Sequence, residues 1–234
     1  MKITIKDLEG MAEFRMAEAL QRTVWGEGDK EDPADLMMVI QHEGGICAGA
    51  FSGDGRLMGY VFGFPTATPG VQHSHRLAVH PDARGLGLGL RLKWHQRDWC
   101  LARGITLVRW TFDPARLPNA ALNVGRLGAR IATYFPDYYG EMAGINQGAP
   151  SDRVLADWHL DSAAVTARAS GQAPPPVAEV ARVTLHPDFG ALLESDPAAA
   201  NAERMRLRAE IQAALAQGLT VQGFDAAARA YLLG

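Results

Sequence analysis

Three glycines at every second position, Gly85, Gly87 and Gly89, stand between an apolar segment that ends at Val79 and a long helix-forming segment. Glycine adopts positive φ without strain and lets a ligand come close to the backbone. The N–H groups of a first helical turn have no partner within the helix, and the helix dipole attracts anions there. The sequence therefore predicts a loop that binds a phosphate or pyrophosphate group.

The spacing of these glycines excludes two common nucleotide-binding loops. Leu90 occupies the position at which the dinucleotide pattern G-x-G-x-x-G requires its third glycine. No Gly-Lys-Ser/Thr sequence follows, although a P-loop requires one. We therefore expect neither a dinucleotide-binding fold nor a P-loop NTPase.

The elements that must hold this loop follow from the hydrophobic pattern, which predicts an α/β (α+β) fold of order β-α-α-β-β-β-α-β-α-β-β over residues 1–160. Asp32 is the expected N-cap of the second helix, with Pro33 at its first position. Asp54-Gly55 predicts a hairpin turn. The predicted strands lie near 3–5 and over 46–51, 57–64, 73–79, 105–112, 129–135 and 154–160, and the predicted helices over 11–24, 33–43, 88–103 and 120–127.

The composition changes after this region, which predicts a domain boundary. Residues 166–176 are rich in Ala, Ser, Gly, Gln and Pro and favour an extended surface linker. We expect a core over 1–162, a linker over 163–176 and a small αβ appendage over 177–234 that packs on the core or on a partner subunit. The appendage is predicted to contain a helix over 199–217 with an apolar stripe of Leu207, Ile211, Ala214 and Leu215, and strand-like pieces over 177–185, 219–224 and 230–233.

Charge and composition narrow the classes of partner. The net charge is −3 and the basic residues are scattered, whereas a nucleic-acid-binding protein usually has a basic stripe. No apolar h-region opens the chain and no run approaches a membrane span, so we expect a cytoplasmic protein that binds neither nucleic acid nor membrane. Cys47 and Cys100 are expected to be reduced packing residues, because their spacing fits neither a zinc site nor a redox pair.

The glycine loop resembles the acetyl-CoA loop of the GNAT superfamily, R/Q-x-x-G-x-G/A, which Arg84-x-x-Gly87-x-Gly89 matches. The preceding Leu77-to-Arg84 segment and the element order are similar to that family as well. The resemblance implies a GNAT-like mixed central sheet with flanking helices. It also implies that acetyl-CoA binds to backbone groups of the loop residues Arg84, Gly85, Leu86, Gly87, Leu88 and Gly89 and of the strand residues Leu77, Ala78 and Val79.

The same resemblance implies an acetyl-CoA-dependent N-acetyltransferase. An amine of a small molecule or peptide would attack the thioester directly, an N–H of Val79 or Ala78 would polarise its carbonyl, and no metal would be needed. Asn119 and Asn123, with the sequence after Trp110, resemble a bacterial subgroup of the superfamily and are assigned to the cofactor site. Two alternatives are a CoA-binding regulatory module without catalysis and a structural dimerisation protein.

The general acid does not stand at its usual position in that family. Many members place a tyrosine four residues before the glycine that ends the fourth helix, and Val124 stands there in this chain. Tyr138 and Tyr139, in a loop between Pro136 and Gly140, are the candidate acids, and Tyr134 is expected to be a core residue instead.

His73 and His75 are the candidate bases, because alternate residues of a strand share one face and imidazole titrates in the required range. Their alternative role is that of a hydrogen-bonded sheet histidine and a solvated one. The acidic residues Glu27, Asp29, Glu31, Asp32 and Asp35 could attract a cationic amine or simply be solvated.

The helix that follows the glycine loop is apolar on two faces. Leu88, Leu92 and Trp99 fall on one face, and Leu90, Trp94 and Leu101 fall on nearly the opposite one. A sheet covers only one of these faces. The pattern therefore predicts a homodimer, or a C-terminal segment folded over this helix, with Trp94 largely buried.

Overall fold

The computed structural model describes residues 2–26, 30–140 and 150–234. It has the expected mixed α/β architecture, in which helices flank mostly antiparallel strands. The chain divides into two compact units, residues 1–108 and 109–234.

The described part of the first unit is an antiparallel sheet in the order β1-β2-β3-β4, with three α-helices and a 3-10 turn at Pro81–Ala83 before the glycine loop. The predicted Asp-Gly turn is present, since Gly55 has a φ of 83° between the two hairpin strands. The elements are β1 (Ile3–Asp7), α1 (Gly10–Trp25), α2 (Ala34–His42), β2 (Ile46–Ser52), β3 (Leu57–Pro65), β4 (Val71–Val79) and α3 (Leu88–Leu101).

Apolar side chains of β2 supply both faces of this sheet, because its residues are buried along their whole length. Cys47 and Phe51 belong to the core cluster that includes α1 and α2 residues, and Ile46 and Ala48 belong to the cluster that includes α3 residues. Both cysteines are free and buried, as expected. On α3, Leu88 and Leu92 are buried, whereas Trp94 is only partly buried.

The second unit contains the strands in the order β5-β7-β6-β9-β10-β8. Strand β9 pairs with β6 at Val221 and Ile131, so the C-terminal segment continues the sheet formed by residues 109–160. Its elements are β5 (Leu107–Phe112), α4 (Leu117–Ala120), a π-helical turn (Ala121–Arg126), β6 (Arg130–Phe135), β7 (Arg153–His159), α5 (Ala163–Ala169), β8 (Ala181–Thr184), α6 (Phe189–Ser195), α7 (Pro197–Ala216), β9 (Val221–Asp225) and β10 (Ala230–Leu233).

The element order over 1–160 is confirmed, but three local predictions are wrong and one helix was missed. Asp32 does not cap helix α2, which begins after Pro33: Asp32 contacts His75 and Arg76, and Ala34 N donates to Glu18 Oε2 at 2.7 Å instead. The supposed linker is helical up to Ala169, with Ser162 accepting a hydrogen bond from Val165 N at its start. The predicted helix at 120–127 begins at Leu117 and widens into a π-helical turn. Helix α6 was not expected.

The proposed domain limits, 1–162, 163–176 and 177–234, stay predictions, as do the homodimer and the cytoplasmic location. Within the described ranges, the helices are all too short or too polar to cross a membrane.

Candidate functional site

The glycine loop lies between the end of β4 and the start of α3. Gly87 caps α3 with a φ of 68°, and Gly85 has a φ of 80°, a backbone conformation that side chains other than glycine rarely adopt. A Cβ atom added at either residue would meet nothing within 4 Å. The backbone here is therefore open to a ligand, beside the first N–H groups of a helix of 14 residues.

The end of β4 lies directly against this loop. A Cβ atom on Gly89 would lie 3.7 Å from Val79 Cγ2 and 3.8 Å from Leu77 Cδ2. Ala78 is buried on the opposite face of the strand. The structure therefore brings the predicted strand residues and the predicted loop residues together. Arg84 and Leu86 are exposed and Leu88 is buried.

A β-bulge in β4 changes which side chains share a face. Phe62 pairs with Arg76 and Gly63 pairs with Ser74, so His75 is the extra residue. Consequently His75 and Arg76, although consecutive, both contact Asp32: His75 Nε2 lies 3.2 Å from Oδ1, and Arg76 Nε donates to Oδ2 at 3.2 Å.

The two candidate bases lie together, as expected. The ring centroids of His73 and His75 are 6.1 Å apart, and both rings contact Phe64. Burial lowers the pKa of His73, and the charges of His75 and Lys93 lower it further. A neutral imidazole near pH 7 is the form that accepts a proton.

Two of the three described residues of the predicted acidic cluster, Asp32 and Glu31, pair with basic side chains. Burial opposes ionisation of Asp32, but hydrogen bonds and charges from His75 and Arg76 outweigh it, so the pKa of this carboxyl lies below its usual value. Glu31 pairs with Arg22, and Asp35 accepts a hydrogen bond from Leu36 N. Glu27 and Asp29 lie outside the described residues.

The opposite side of β4 carries a buried polar network that the sequence did not reveal. Lys93 Nζ donates to Ser74 Oγ at 3.0 Å and to Gln96 Oε1 at 2.8 Å, and Gln96 Nε2 donates to Gln72 Oε1 at 2.8 Å. Burial lowers the pKa of Lys93 to about 7. We call Gln72, Ser74, Lys93, Gln96 and Cys100 the Lys93 cluster.

The second unit holds the candidate acids. Tyr138 and Tyr139 are about half exposed, and their ring centroids lie 4.7 Å apart. Tyr139 Oη lies 3.3 Å from Thr111 Oγ1 of β5, and the guanidinium of Arg153 lies 5.2 Å from the Tyr139 ring. The hydroxyl of Tyr139 therefore contacts a side chain of β5.

The other expectations for this unit concern Tyr134, Val124 and the two asparagines. Tyr134 is buried and donates to Asp152 Oδ2 at 2.5 Å. Its pKa is raised, mainly because the hydroxyl is buried and also because of this hydrogen bond, so Tyr134 is a core residue. Val124 is fully buried. Asn119 is partly exposed on α4, and Asn123 is buried in the π-helical turn.

The candidate residues thus form two sets, one in each compact unit. The loop, the end of β4 and the two histidines belong to the first unit, and the tyrosines and asparagines belong to the second.

Four polar residues of these regions were not predicted from the sequence. Arg76 was missed because a bulge leaves no pattern in the sequence. Lys93, and Arg204 and Arg208 of α7, were missed because each resembles a solvated basic residue of a helix.

Part of the chain matches the model of a known protein family. Residues 11–125 match the family model described as Acetyltransferase (GNAT) family. No curated protein matches the chain significantly.

Solved acetyltransferases share the fold at low sequence identity. The ribosomal-protein-S18-alanine N-acetyltransferase from Escherichia coli is 19% identical with a TM-score of 0.57, over 69% of this chain and 96% of that chain. A phosphinothricin acetyltransferase from Sinorhizobium meliloti in complex with AcCoA is 17% identical with a TM-score of 0.52, over 67% and 88% of the two chains. An aminoglycoside 6'-acetyltransferase type Ii is 18% identical with a TM-score of 0.54, over 69% and 99%.

Proposed function

We propose that this chain, which contains a GNAT acetyltransferase domain over residues 11–125, is an N-acetyltransferase that uses acetyl-CoA. The observation that carries the proposal is the open glycine loop, in which two residues of positive φ precede the N-terminus of α3. The named acceptors of the similar structures are an alanine of a ribosomal protein, phosphinothricin and an aminoglycoside. We therefore assign the acceptor only as an amine of a small molecule or peptide.

The loop residues 84–89 fit a pyrophosphate group. Their backbone can approach an anion because no side chain stands over Gly85 or Gly87, and the dipole of α3 favours negative charge there. Backbone groups of Leu77, Ala78 and Val79 would hold the pantetheine arm, since Leu77 and Val79 pack beside Gly89. Asn119 and Asn123 are assigned to the same cofactor. When bound, acetyl-CoA supplies an acetyl group activated as a thioester.

Proton transfer is assigned to the histidines and the tyrosines. His73 is the better base, because its lowered pKa keeps the imidazole neutral at pH 7, whereas His75 is held by Asp32. Tyr139 is the better acid, because its hydroxyl is directed to Thr111 of β5. A backbone N–H of Val79 or Ala78 would donate to the oxygen on which negative charge develops.

The experiment that tests cofactor binding compares Gly87→Asp with Gly87→Asn. Asp and Asn both tolerate the left-handed conformation at Gly87 and have the same size, so only the charge differs. We expect Gly87→Asp to weaken acetyl-CoA binding on the order of 10²-fold relative to Gly87→Asn, because the carboxylate repels the pyrophosphate. Equal affinities, measured by calorimetry on folded proteins, would remove the cofactor assignment.

A second measurement separates the enzyme from its alternatives. An enzyme releases the CoA thiol when acetyl-CoA is mixed with a suitable amine from a panel. A regulatory module binds acetyl-CoA without thiol release, and a structural dimer binds none. Val124 at the usual tyrosine position motivates the regulatory module, and the match to an acetyltransferase family disfavours it.

The homodimer and the cytoplasmic location are secondary parts of the proposal. Analytical ultracentrifugation would measure whether the protein is a dimer.

A further inference from the structure

Two arginines of α7 stand on the buried face of that helix, one turn apart. Arg204 and Arg208 share this face with Leu207 and Ile211, which are almost fully buried. A buried guanidinium costs free energy unless a carboxylate and further hydrogen bonds accept its donors. Each arginine has such a carboxylate, and each carboxylate stands beside a segment with candidate site residues.

Arg204 contacts the loop that follows β5. Its Nη2 donates to Asp113 Oδ2 at 2.8 Å, and both side chains are almost fully buried. Asp113 Oδ1 also accepts a hydrogen bond from Ala115 N at 2.9 Å, which fixes the loop that leads to Asn119.

Arg208 contacts the start of β7. Its Nε donates to Asp152 Oδ2 at 2.9 Å and its Nη2 donates to Oδ1 at 2.5 Å, so the pair is bidentate. Asp152 also accepts hydrogen bonds from Tyr134 Oη and, at 3.0 Å, from Asp137 N. We call Arg204, Arg208, Asp113 and Asp152 the arginine clamp.

From Asp152, hydrogen bonds continue to the two candidate acids. Asp137 has a φ of 45°, an uncommon conformation outside glycine, and its Oδ1 accepts a hydrogen bond from Ser151 N at 3.0 Å. Ser151 Oγ accepts a hydrogen bond from Tyr139 N at 2.8 Å, and Ser151 O accepts one from Tyr138 N at 3.2 Å. The turn that carries both tyrosines is thus fixed by Asp137 and Ser151, and Asp137 in turn by Asp152.

We propose that Arg208 is a positioning residue for acyl transfer, which acts through Asp152 and Asp137 to place the Tyr139 hydroxyl at β5. The C-terminal segment is then part of the catalytic scaffold. This inference rests on the proposed function only in assigning proton transfer to Tyr139, because the contacts from Arg208 to the turn are independent of that assignment.

Kinetics test the catalytic part of this inference. Arg208→Gln removes the charge and the bidentate contact, and we expect kcat to fall by 10-fold to 100-fold, since a displacement of about 1 Å costs up to roughly 10²-fold. The affinity for acetyl-CoA should stay within about 2-fold, because the glycine loop is untouched. Arg208→Lys should recover little, since an ammonium cannot replace the bidentate fork. Arg206→Gln is the matched control, because Arg206 lies on the same helix but forms its ion pairs with Glu203 and Glu210 of that helix.

A double variant distinguishes positioning from general loss of stability. If Arg208 acts through Tyr139, then Arg208→Gln in a Tyr139→Phe background lowers kcat no further. Multiplied losses in the double variant, or an unchanged kcat in Arg208→Gln, would overturn the inference.

A spectroscopic measurement tests whether Arg208 positions Tyr139, and it does not depend on an activity assay. In protein labelled with 3-fluorotyrosine, the Tyr139 signal is assigned by its loss in Tyr139→Phe. We expect Arg208→Gln to shift or broaden that signal and Arg206→Gln to leave it in place. An identical signal in both variants refutes the positioning role. If Tyr139→Phe keeps full activity, the assignment of the acid fails, and the fluorine signal still decides the role of Arg208.

Discussion

The Lys93 cluster in residues 1–108 and the arginine clamp in residues 109–234 both bury polar side chains, but with different chemistry. The Lys93 cluster joins an amine, a hydroxyl, a thiol and two amides between β4 and α3. The clamp joins two guanidinium groups to two carboxylates. The arginines of the clamp stay protonated at any physiological pH, whereas burial lowers the pKa of Lys93 to about 7.

This difference indicates what each network can do for the site beside it. Ser74 and Gln72 flank His73 along β4, so the Lys93 cluster holds the strand of the candidate base through hydrogen bonds from an amine and an amide. The clamp instead ties a C-terminal helix to two distant segments through ion pairs that are costly to break. Three variants test this comparison.

The largest effect is expected from breaking the clamp at Arg204. Arg204→Met leaves the buried Asp113 carboxylate without its bidentate partner and with Arg116 Nε at the longer distance of 3.7 Å, and we expect a loss of about 3 kcal/mol in the free energy of unfolding. Urea denaturation measures this loss. Arg206→Met on the same helix removes ion pairs with Glu203 and Glu210 that are only partly shielded from water, and a hydrogen bond to Thr184 O, and should cost about 1–2 kcal/mol. Similar losses in the two variants would show that the clamp does not act as a buried ion pair.

The sequence predicted the clamp's helix but not its charges. The apolar stripe identified Leu207, Ile211, Ala214 and Leu215, of which the first three are buried and Leu215 is partly buried. Arg204 follows the same spacing, but nothing local distinguishes a buried arginine from a solvated one, because its partner Asp113 is 91 positions earlier in the chain. Long-range pairing of this kind leaves no trace in hydrophobic periodicity.

The first unit shows the same limit. The glycine loop, the turn at Gly55 and the face shared by His73 and His75 depend on local conformation, and the sequence predicted each of them. The contact of Arg76 with Asp32 depends on the bulge at His75, which shifts the alternation of side chains by one residue. The bulge arises from pairing with β3, and the sequence of β4 alone does not specify it.

An intermediate effect is expected from crowding the Lys93 cluster. A Cβ atom on Gly63 would lie 2.8 Å from His73 O, 3.0 Å from Gln72 Oε1 and 3.2 Å from Gln96 Nε2. We therefore expect Gly63→Ala to lower the free energy of unfolding by about 1–3 kcal/mol. Gly53→Ala is the control, since a Cβ atom there meets nothing within 4 Å. If Gly63→Ala is as stable as Gly53→Ala, the Lys93 cluster is not closely packed against Gly63.

The smallest effect is a dependence of stability on pH that only the Lys93 cluster should produce. Burial lowers the pKa of Lys93 from 10.5 to about 7 in the folded state. Below pH 7 the amine is protonated in both states, and the cost of burying its charge is fully present. Above pH 7 the folded protein loses this proton while the unfolded chain keeps it, so the unfolded state binds more protons and stability rises with pH.

Neighbouring groups fix the pH window in which this rise can be measured. The lowered pKa of His73 adds a rise of the same sign, but only below about pH 6.5. Burial raises the pKa of the Cys100 thiol from 9.0 to about 12, and burial raises that of Cys47 as well, so both thiols reduce stability above pH 9. Between pH 7 and 9 we expect a slope of up to about 1.4 kcal/mol per pH unit, the value for one proton.

Lys93→Met should remove this slope, because methionine fills the same space without a titratable group, and Ser74 Oγ still donates to Gln96 Oε1 at 3.2 Å. Arg91→Met on the exposed side of the same helix should keep the slope. Urea titrations at pH 7, 8 and 9 measure the slope in the unmodified protein, in Lys93→Met and in Arg91→Met. The Arg204→Met protein should also keep the slope, because the arginine that it replaces stays protonated throughout this window. A slope that persists in Lys93→Met would assign the dependence to other groups and leave the Lys93 cluster as a network of constant charge, like the clamp.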